Sequence, residues 1–482
     1  MVWGEIRSTL RVIRPKPMAQ STRRVGKALL LGVGVSLAVT GASQVGVLAG
    51  WETRAVDAFL FFRDRQPAPE IVLVGIDDDS FEALGARQPL PRNYLAAVAD
   101  FLLMSGARVV VFDVMLKSAS VPAEDAELIK TAQKWDGKGK GRIVFASVAN
   151  PAGEGKHPKY TLSSAFTDLS VTHAFPNAPV GSDGIIRRAV VVLPDAEKDG
   201  YLPSLALAAL AGYAGYSADE TMRALHSDSI TLPVRTGADG VLRNEPVSTR
   251  ALEKAPWRID YVGKAGSVTS FPSAAIYGAA MSGVKPESDN PFNGKIVFVG
   301  ATFADSRDFF PTPLGMMPGV EIHANIANTL LERRSLLPPG WILNLVVLIA
   351  ACSMVTLLSL WLRPLWVTVI SFAIVGVFAV ISFEAYTKGG YWLDFVGPML
   401  GMKIYIQGSK WLARRRIVSA FGEYVSPEVM DRVMLDGAQL GGEIRKVSVL
   451  MSDLRGFTTM SEKMKPAQII EIMNEYMGRW ST

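Results

Sequence analysis

The chain is written in two hydrophobic patterns: long uninterrupted apolar runs near its two ends, and short apolar runs separated by polar turns between them. Residues 28–51 hold no charge and begin ALLLGVGVSLAV. As a helix rising about 1.5 Å per residue, such a run crosses the ~30 Å hydrocarbon core of a bilayer. A first membrane span is predicted there. The preceding Arg11, Arg14, Arg23, Arg24 and Lys27 would also suit the basic region of a cleaved signal peptide. The apolar run exceeds the ~7–15 residues of a signal core, which favours an uncleaved anchor. Uncharged runs return only at 335–362 and 364–383, separated by Arg363, and predict spans at 340–362 and 364–384. A fourth span at 389–408 is weaker, because Asp394 and Lys403 interrupt it and Gly397-Pro398 would kink it. Four crossings put every basic cluster (the N-terminal one, Arg363, and Lys410 with Arg414, Arg415 and Arg416) on the cytoplasmic side. Asp394 and Lys403 then read as side chains that snorkel to the interfaces.

Between the outer runs, residues 52–338 read as one α/β domain. IVLVGI after Glu70 is a continuous apolar, β-rich run of the kind buried on both faces of a parallel sheet, and it ends in Asp77-Asp78-Asp79-Ser80. A helical pattern, NYLAAVADFLLMSG, follows Pro91-Arg92 and stops at Gly106. A second strand, ARVVVFDVML, carries Asp113 at its carboxyl end. A helix around 124–133, a strand RIVFASV, and later a strand GKIVFVGAT and a helix over 319–331 continue the β-α-β order, so a largely parallel sheet is expected. Such sheets bind ligands where strand carboxyl ends meet the loops. Asp77, Arg92, Asp113, Arg188, Gly300 and Asp308 are therefore candidate pocket residues. The competing reading is that strand-end acids cap the following turns and helices. A hard-cation site from Asp77, Asp78 and Asp79 is disfavoured, since adjacent carboxylates in extended chain point in alternate directions. His323, alone beside a helix start, reads as a packing group.

Composition narrows the classes. Hydrophobic residues make up 49% of 482, and mean hydropathy is +0.23, which excludes disorder throughout. The single Cys352 excludes a disulfide framework or a multi-thiolate zinc site. Lys and Arg number 50 against 45 acids, a balance that points to no nucleic-acid partner. No series of inward-facing intramembrane charges supports a transporter.

The outer segment carries a family resemblance. IDDDSFEALGARQPLPRNYLAAVADFLLMSGARVVVFDVML, then VGSDGIIRRAV with LPSLAL, then GKIVFVGATFADSRDFFPTPLGMMPGVEIHANIANTLL resemble, in order, the second class of CHASE-type extracellular sensor domain. One stretch departs mildly from the family pattern, reading Pro89-Leu90-Pro91-Arg92. The resemblance implies a periplasmic or extracellular input module for an unknown stimulus, followed by three membrane helices and a cytoplasmic output domain. The protein would then be a multi-pass protein of the plasma (inner) membrane, with its N-terminus at 1–27 and its tail in the cytoplasm.

In that tail, residues 410–437 read as linker helices. Val418, Phe421, Val425 and Val429 form an apolar stripe, and Ser426-Pro427-Glu428 starts a fresh helix. The stripe would pair with its counterpart in a second chain, giving a homodimer, or dock on the following domain. Next, 447–451 reads as a buried strand ending at Asp453, with a turn at Gly456. A carboxylate at a strand end beside a glycine turn suits a nucleotide phosphate with a divalent cation. LGGEIRK with VSVLMSDLRGFTTMSE, and FGEYVSPEVMDRVM before them, are similar to the opening of class III adenylate/guanylate cyclases, whose domain is α+β (ferredoxin-like). This resemblance implies that Asp453 and the Leu454 backbone carbonyl hold Mg2+ or Mn2+. It also implies that Gly456, Phe457 and Thr458 border the triphosphate of ATP or GTP, and that two metals assist attack of the ribose 3′-hydroxyl on the α-phosphate. Within residues 440–482 the family's second metal aspartate and its later asparagine and arginine do not occur. The 482 residues by themselves are expected to be inactive, as a fragment or a truncated product. The alternative is a non-enzymatic membrane module or dominant-negative partner. A histidine-kinase output is disfavoured, since the linker has no His.

Overall fold

The computed structural model describes residues 18–63, 65–135, 142–153, 158–166, 171–235, 240–253, 257–333, 340–362, 364–421, 446, 448 and 454–480. The chain divides into two compact units, Met1–Ser409 and Lys410–Thr482.

In the first unit six strands form one sheet: β1 (Ile71–Ile76), β2 (Val109–Asp113), β3 (Arg142–Ala146), β4 (Thr172–Ala174), β5 (Ser270–Pro272) and β6 (Ile296–Ala301). Their order is β5-β1-β6-β2-β3-β4. Every pairing is parallel. The period-2 rule explains why these strands read as unbroken apolar runs. Leu73, Val109, Val111, Val144, Ile296 and Phe298 face one core, while Val74, Val110, Phe112, Phe145, Val297 and Val299 face the other. Each fully buried side chain of this kind contributes roughly 1.5–3 kcal/mol.

Helices cover both faces. α4 (Arg92–Met104), α5 (Pro122–Trp135) and α7 (Ser273–Met281) supply Leu95, Leu102, Leu128 and Ile276 to one core. α6 (Leu205–Ala214) and α8 (Gly319–Leu331) close the other. Both are buried around nearly their whole circumference; α6 is apolar on every side, whereas α8 also buries a polar face of Glu321, Asn325 and Asn328. A short α3 (Asp78–Ala83) follows β1. An antiparallel hairpin, Ser229–Arg235 with Leu242–Ser248, lies outside the main sheet.

Three helices among the described residues are long and apolar enough to cross a membrane: Val25–Gln44 within α1 (Met18–Gln44), Trp341–Ser359 within α9 (Trp341–Trp361), and Leu365–Gly389 within α10 (Pro364–Gly389). After α1 the chain turns and resumes as α2 (Ala49–Phe62). The region of the expected fourth span is also helical, α11 (Val396–Phe421), but it falls short of that apolarity. Lys403, Lys410 and the arginines within it account for this. The α1 and α9 helices approach closely through small side chains: a Cβ placed on Gly32 would sit 3.2 Å from the Cβ of Cys352. Cys352 packs with Val39, Leu348, Val355 and Tyr405. Asp394, expected at an interface with a snorkelling side chain, is instead buried. Its Oδ1 accepts from the N–H groups of Val396 (2.9 Å) and Gly397 (3.3 Å) at the start of α11.

Candidate functional site

The carboxyl edge of the sheet is where chemistry gathers. The strand register sets Gly300 of β6 beside Asp113 of β2 on one side and Gly75 of β1 on the other. The hairpin Phe309–Thr312/Gly315–Pro318 then leads into α8, which begins against this edge. Glycine permits that approach. A Cβ on Gly300 would lie 2.7 Å from the Cβ of Val320 and 3.2 Å from that of Asp113, and one on Gly319 would lie 2.6 Å from Oδ2 of Asp308. His323 enters one turn into α8. The result is a cleft of about 490 Å³ lined by Asp113, Asp308 and His323 and walled by Leu90, Met115, Val180, Phe303, Phe310 and Ile322.

Asp113 is nine-tenths buried and Asp308 half-buried, neither carboxylate has a hydrogen bond among the described residues, and the Nδ1 of His323 is buried without a hydrogen-bond partner. The Asp113 side chain is 9% exposed and that of His323 7%, and His323 Nε2 stands 3.9 Å from Asp113 Oδ2, beyond hydrogen-bond reach. Burial alone pushes the Asp113 carboxyl up to about 7. Burial, followed by the negative charge of Asp113, raises Asp308 to about 7, with His323 opposing. Burial lowers His323 to about 4 against the pull of Asp308. At neutral pH the imidazole is therefore uncharged and offers no ion pair to either acid. Among the described residues no group of three His, Cys, Asp or Glu side chains is placed to hold a metal ion.

Of the six pocket residues expected from sequence, the structure brings Asp113, Gly300 and Asp308 to this edge. Asp77 caps α3, its Oδ1 accepting from Ser80 N–H at 2.9 Å, so the capping reading describes its geometry. Asp78 bonds Ala304 N–H at 2.9 Å, and the three adjacent acids share no cation geometry. Arg92 is committed elsewhere. Its Nη1 lies 2.5 Å from Asp125, its Nη2 bonds the Ser118 carbonyl, and its guanidinium covers the Phe166 ring at 4.8 Å. Arg188 sits exposed on a two-residue strand paired with Trp257–Arg258, beside a separate cleft. His323, read from sequence as a packing group, is the member that reading left out. The spacing of four from Gly319 to His323, which returns a helix side chain to the face of its first turn, was the available signal.

A second buried cluster lies beside α2 and α10. Asp260 is fully buried and held by two arginines, Arg63 at 2.6 Å and Arg65. Arg65 reaches Glu332 at 2.8 Å, Glu332 reaches Arg235 at 3.0 Å, and Arg235 reaches Glu70 at 2.7 Å. Arg63 also covers the ring of Tyr386, on α10, at 5.2 Å. Beside it Phe59 of α2 packs on Phe383, Tyr386, Trp392 and Phe395 at centroid distances of 5.2–6.0 Å. One continuous core thus runs from the sheet through α2 into α10.

In the second unit, Gly456 adopts a left-handed backbone (φ 79°), and the five-residue helix α12 (Phe457–Ser461) follows it. The Leu454 carbonyl accepts from Phe457 N–H at 3.1 Å. An amphipathic helix, α13 (Pro466–Trp480), comes next. Asp453, the strand expected at 447–451 and the linker from 422 to 445 lie outside the described residues. Leu454, Gly456, Phe457 and Thr458 by themselves do not make a metal site, and no step through Mg2+ or Mn2+ is derived from them.

A parallel α/β domain bracketed by apolar helices, with a cleft at its strand ends and a core continuous with one of those helices, has the build of a membrane-borne sensor. The chain belongs to the CHASE2 domain family, whose model matches residues 34–360, more than half of it. As an extracellular sensor domain, this points to a signal-transducing receptor. No curated protein and no solved structure matches the chain.

Proposed function

We propose that the protein is the input and membrane portion of a receptor-type nucleotide cyclase. In this reading the CHASE2 domain senses an extracytoplasmic stimulus. The helices carry the signal across the plasma membrane, with α11 as a fourth crossing. A cytoplasmic class III domain, paired as a homodimer, converts ATP, or less favourably GTP, to a cyclic nucleotide and pyrophosphate. The sensor half is carried by the family match and by the apolar helices that flank it. The output half is supported by the string VSVLMSDLRGFTTMSE and by the left-handed Gly456 that the turn in it requires. Asp453 would anchor the divalent cations, and backbone N–H groups at Gly456, Phe457 and Thr458 would meet phosphate oxygens.

The junction gives the reading a physical route. The α8 helix begins at the sheet edge; towards its other end Thr329 Oγ1 accepts from the Asp260 N–H, and Glu332, just past the helix, pairs with Arg65 of the Asp260 network. That network touches α10 through Tyr386. The test is cyclic nucleotide output from membranes carrying the full-length gene product, beside Asp453→Ala. Loss of one metal carboxylate should lower output about 100-fold or more, roughly 3 kcal/mol of transition-state stabilisation. Unchanged output from Asp453→Ala would contradict the metal role. A receptor that yields no cyclic nucleotide under any condition would favour the second reading, a non-enzymatic sensor module.

A further inference from the structure

We infer that the cleft at the β2/β6 edge binds a small organic cation, an ammonium group carried on an apolar body. The assignment rests on the sensor reading of this domain and is independent of what the output domain does.

Three observations converge on that chemistry. First, the site is a formed cavity of about 490 Å³, within the range of small-molecule sites, and its walls are mostly apolar. Second, Asp113 is a carboxylate with only 9% of its side chain exposed and no hydrogen bond among the described residues, and it lines the cavity. Two more deeply buried acids of this domain do have partners: Glu321 accepts from the N–H groups of Gly266, Ser267 and Val268, and Asp260 is ion-paired with two arginines. Third, the lining offers nothing to neutralise Asp113 or Asp308. Among the described residues it contains no Lys or Arg; its titratable groups there are those two acids and His323, and its other polar side chains are Gln88, Asn177 and Ser306. A buried carboxylate without a partner is costly, and a cation that enters with its own apolar body removes that cost while covering the hydrophobic walls. An anionic ligand would meet two acids and no base. A bare metal ion would find no three-ligand arrangement among the described residues.

The test uses the full chain in lipid nanodiscs and titration calorimetry at pH 8. The probes are n-butylammonium, benzylammonium and 2-phenylethylammonium, each beside the alcohol and the carboxylate of matching shape. At least one ammonium should saturate the protein, with its alcohol and carboxylate partners binding about tenfold more weakly or worse. Asp113→Asn and Asp308→Asn should each weaken that ammonium by about tenfold or more, and Arg333→Ala, on the exposed Glu245 pair, should not. A pH series on the unaltered chain gives a readout that no variant's folding can obscure: affinity should fall as pH drops from 8 to 5 and the acids take up protons. Any one of three results would overturn the inference: no ammonium binding up to about 10 mM, equal binding of alcohol and ammonium, or undiminished affinity at pH 5. Binding with a silent output domain would overturn only the cyclase proposal. Cyclase activity without binding would overturn only the ligand assignment.

Discussion

Two clusters of buried acids in the same domain are treated in opposite ways. Beside α10, Asp260 and Glu332 are threaded among Arg63, Arg65 and Arg235, and both carboxylates have cationic partners. At the sheet edge, Asp113 and Asp308 stand in an apolar cleft with an uncharged imidazole for company. A paired buried acid reports how a fold is held together. An unpaired one reports a place kept at a cost, and such places concentrate at sites where something else binds. The first cluster also touches α10, and the second faces the cavity.

Substitutions should separate the two clusters by the sign of their effect. The largest change is expected from Asp260→Asn. It strands the buried guanidinium of Arg63, leaves Arg65 with Glu332 alone, and should lower unfolding free energy in denaturant titration by about 3–5 kcal/mol. Gly300→Ala should follow, at about 2–3 kcal/mol, because its Cβ would overlap Val320 and push α8 off the sheet. Asp113→Asn should act in the opposite direction. Its folded value near 7 lies above the unfolded one, so the acid opposes folding increasingly as pH rises from about 4 to 7 and fully above that. Replacement should therefore stabilise by about 1–2 kcal/mol at pH 8, after allowing for an unsatisfied amide, and the gain should vanish below pH 4. His323 has the converse sign. Its value is lowered to about 4, so its contribution is present above pH 6.5 and lost as pH falls towards 4. The smallest effect, about 0.5 kcal/mol or less, is expected from Arg333→Ala, since that pair is largely exposed. Equal destabilisation by Asp260→Asn and Asp113→Asn would erase the distinction.

The sheet was legible because its central strands are buried on both faces and so read as continuous apolar runs; IVLVGI, VVVFD and IVFVGA fall where their patterns placed them. The α8 helix was legible from its boundaries. The edge strands Thr172–Ala174 and Ser270–Pro272 were not, since three residues carry no period and their pairing is set by neighbours distant in sequence. The place of β6 between β1 and β2 follows from chain tracing in space, and nothing local encodes it. For the cleft, strand-end position found Asp113 and Gly300, while burial decided which acids mattered. Asp77 and Arg92 look equivalent to Asp113 in sequence, yet one has a helix to cap and the other an acid to bind. The proximity of His323 to Asp113, 210 residues earlier in the chain, has no sequence signature.

The most direct test of the contrast is the titration of Asp113 itself. It can be followed by the infrared carboxyl band of the intact chain minus that of Asp113→Asn. A midpoint near pH 7 is expected for an acid buried without a partner. A midpoint in the ordinary carboxylate range near 4 would mean that Asp113 is solvated or paired, and would remove the basis for treating the cleft as a binding site.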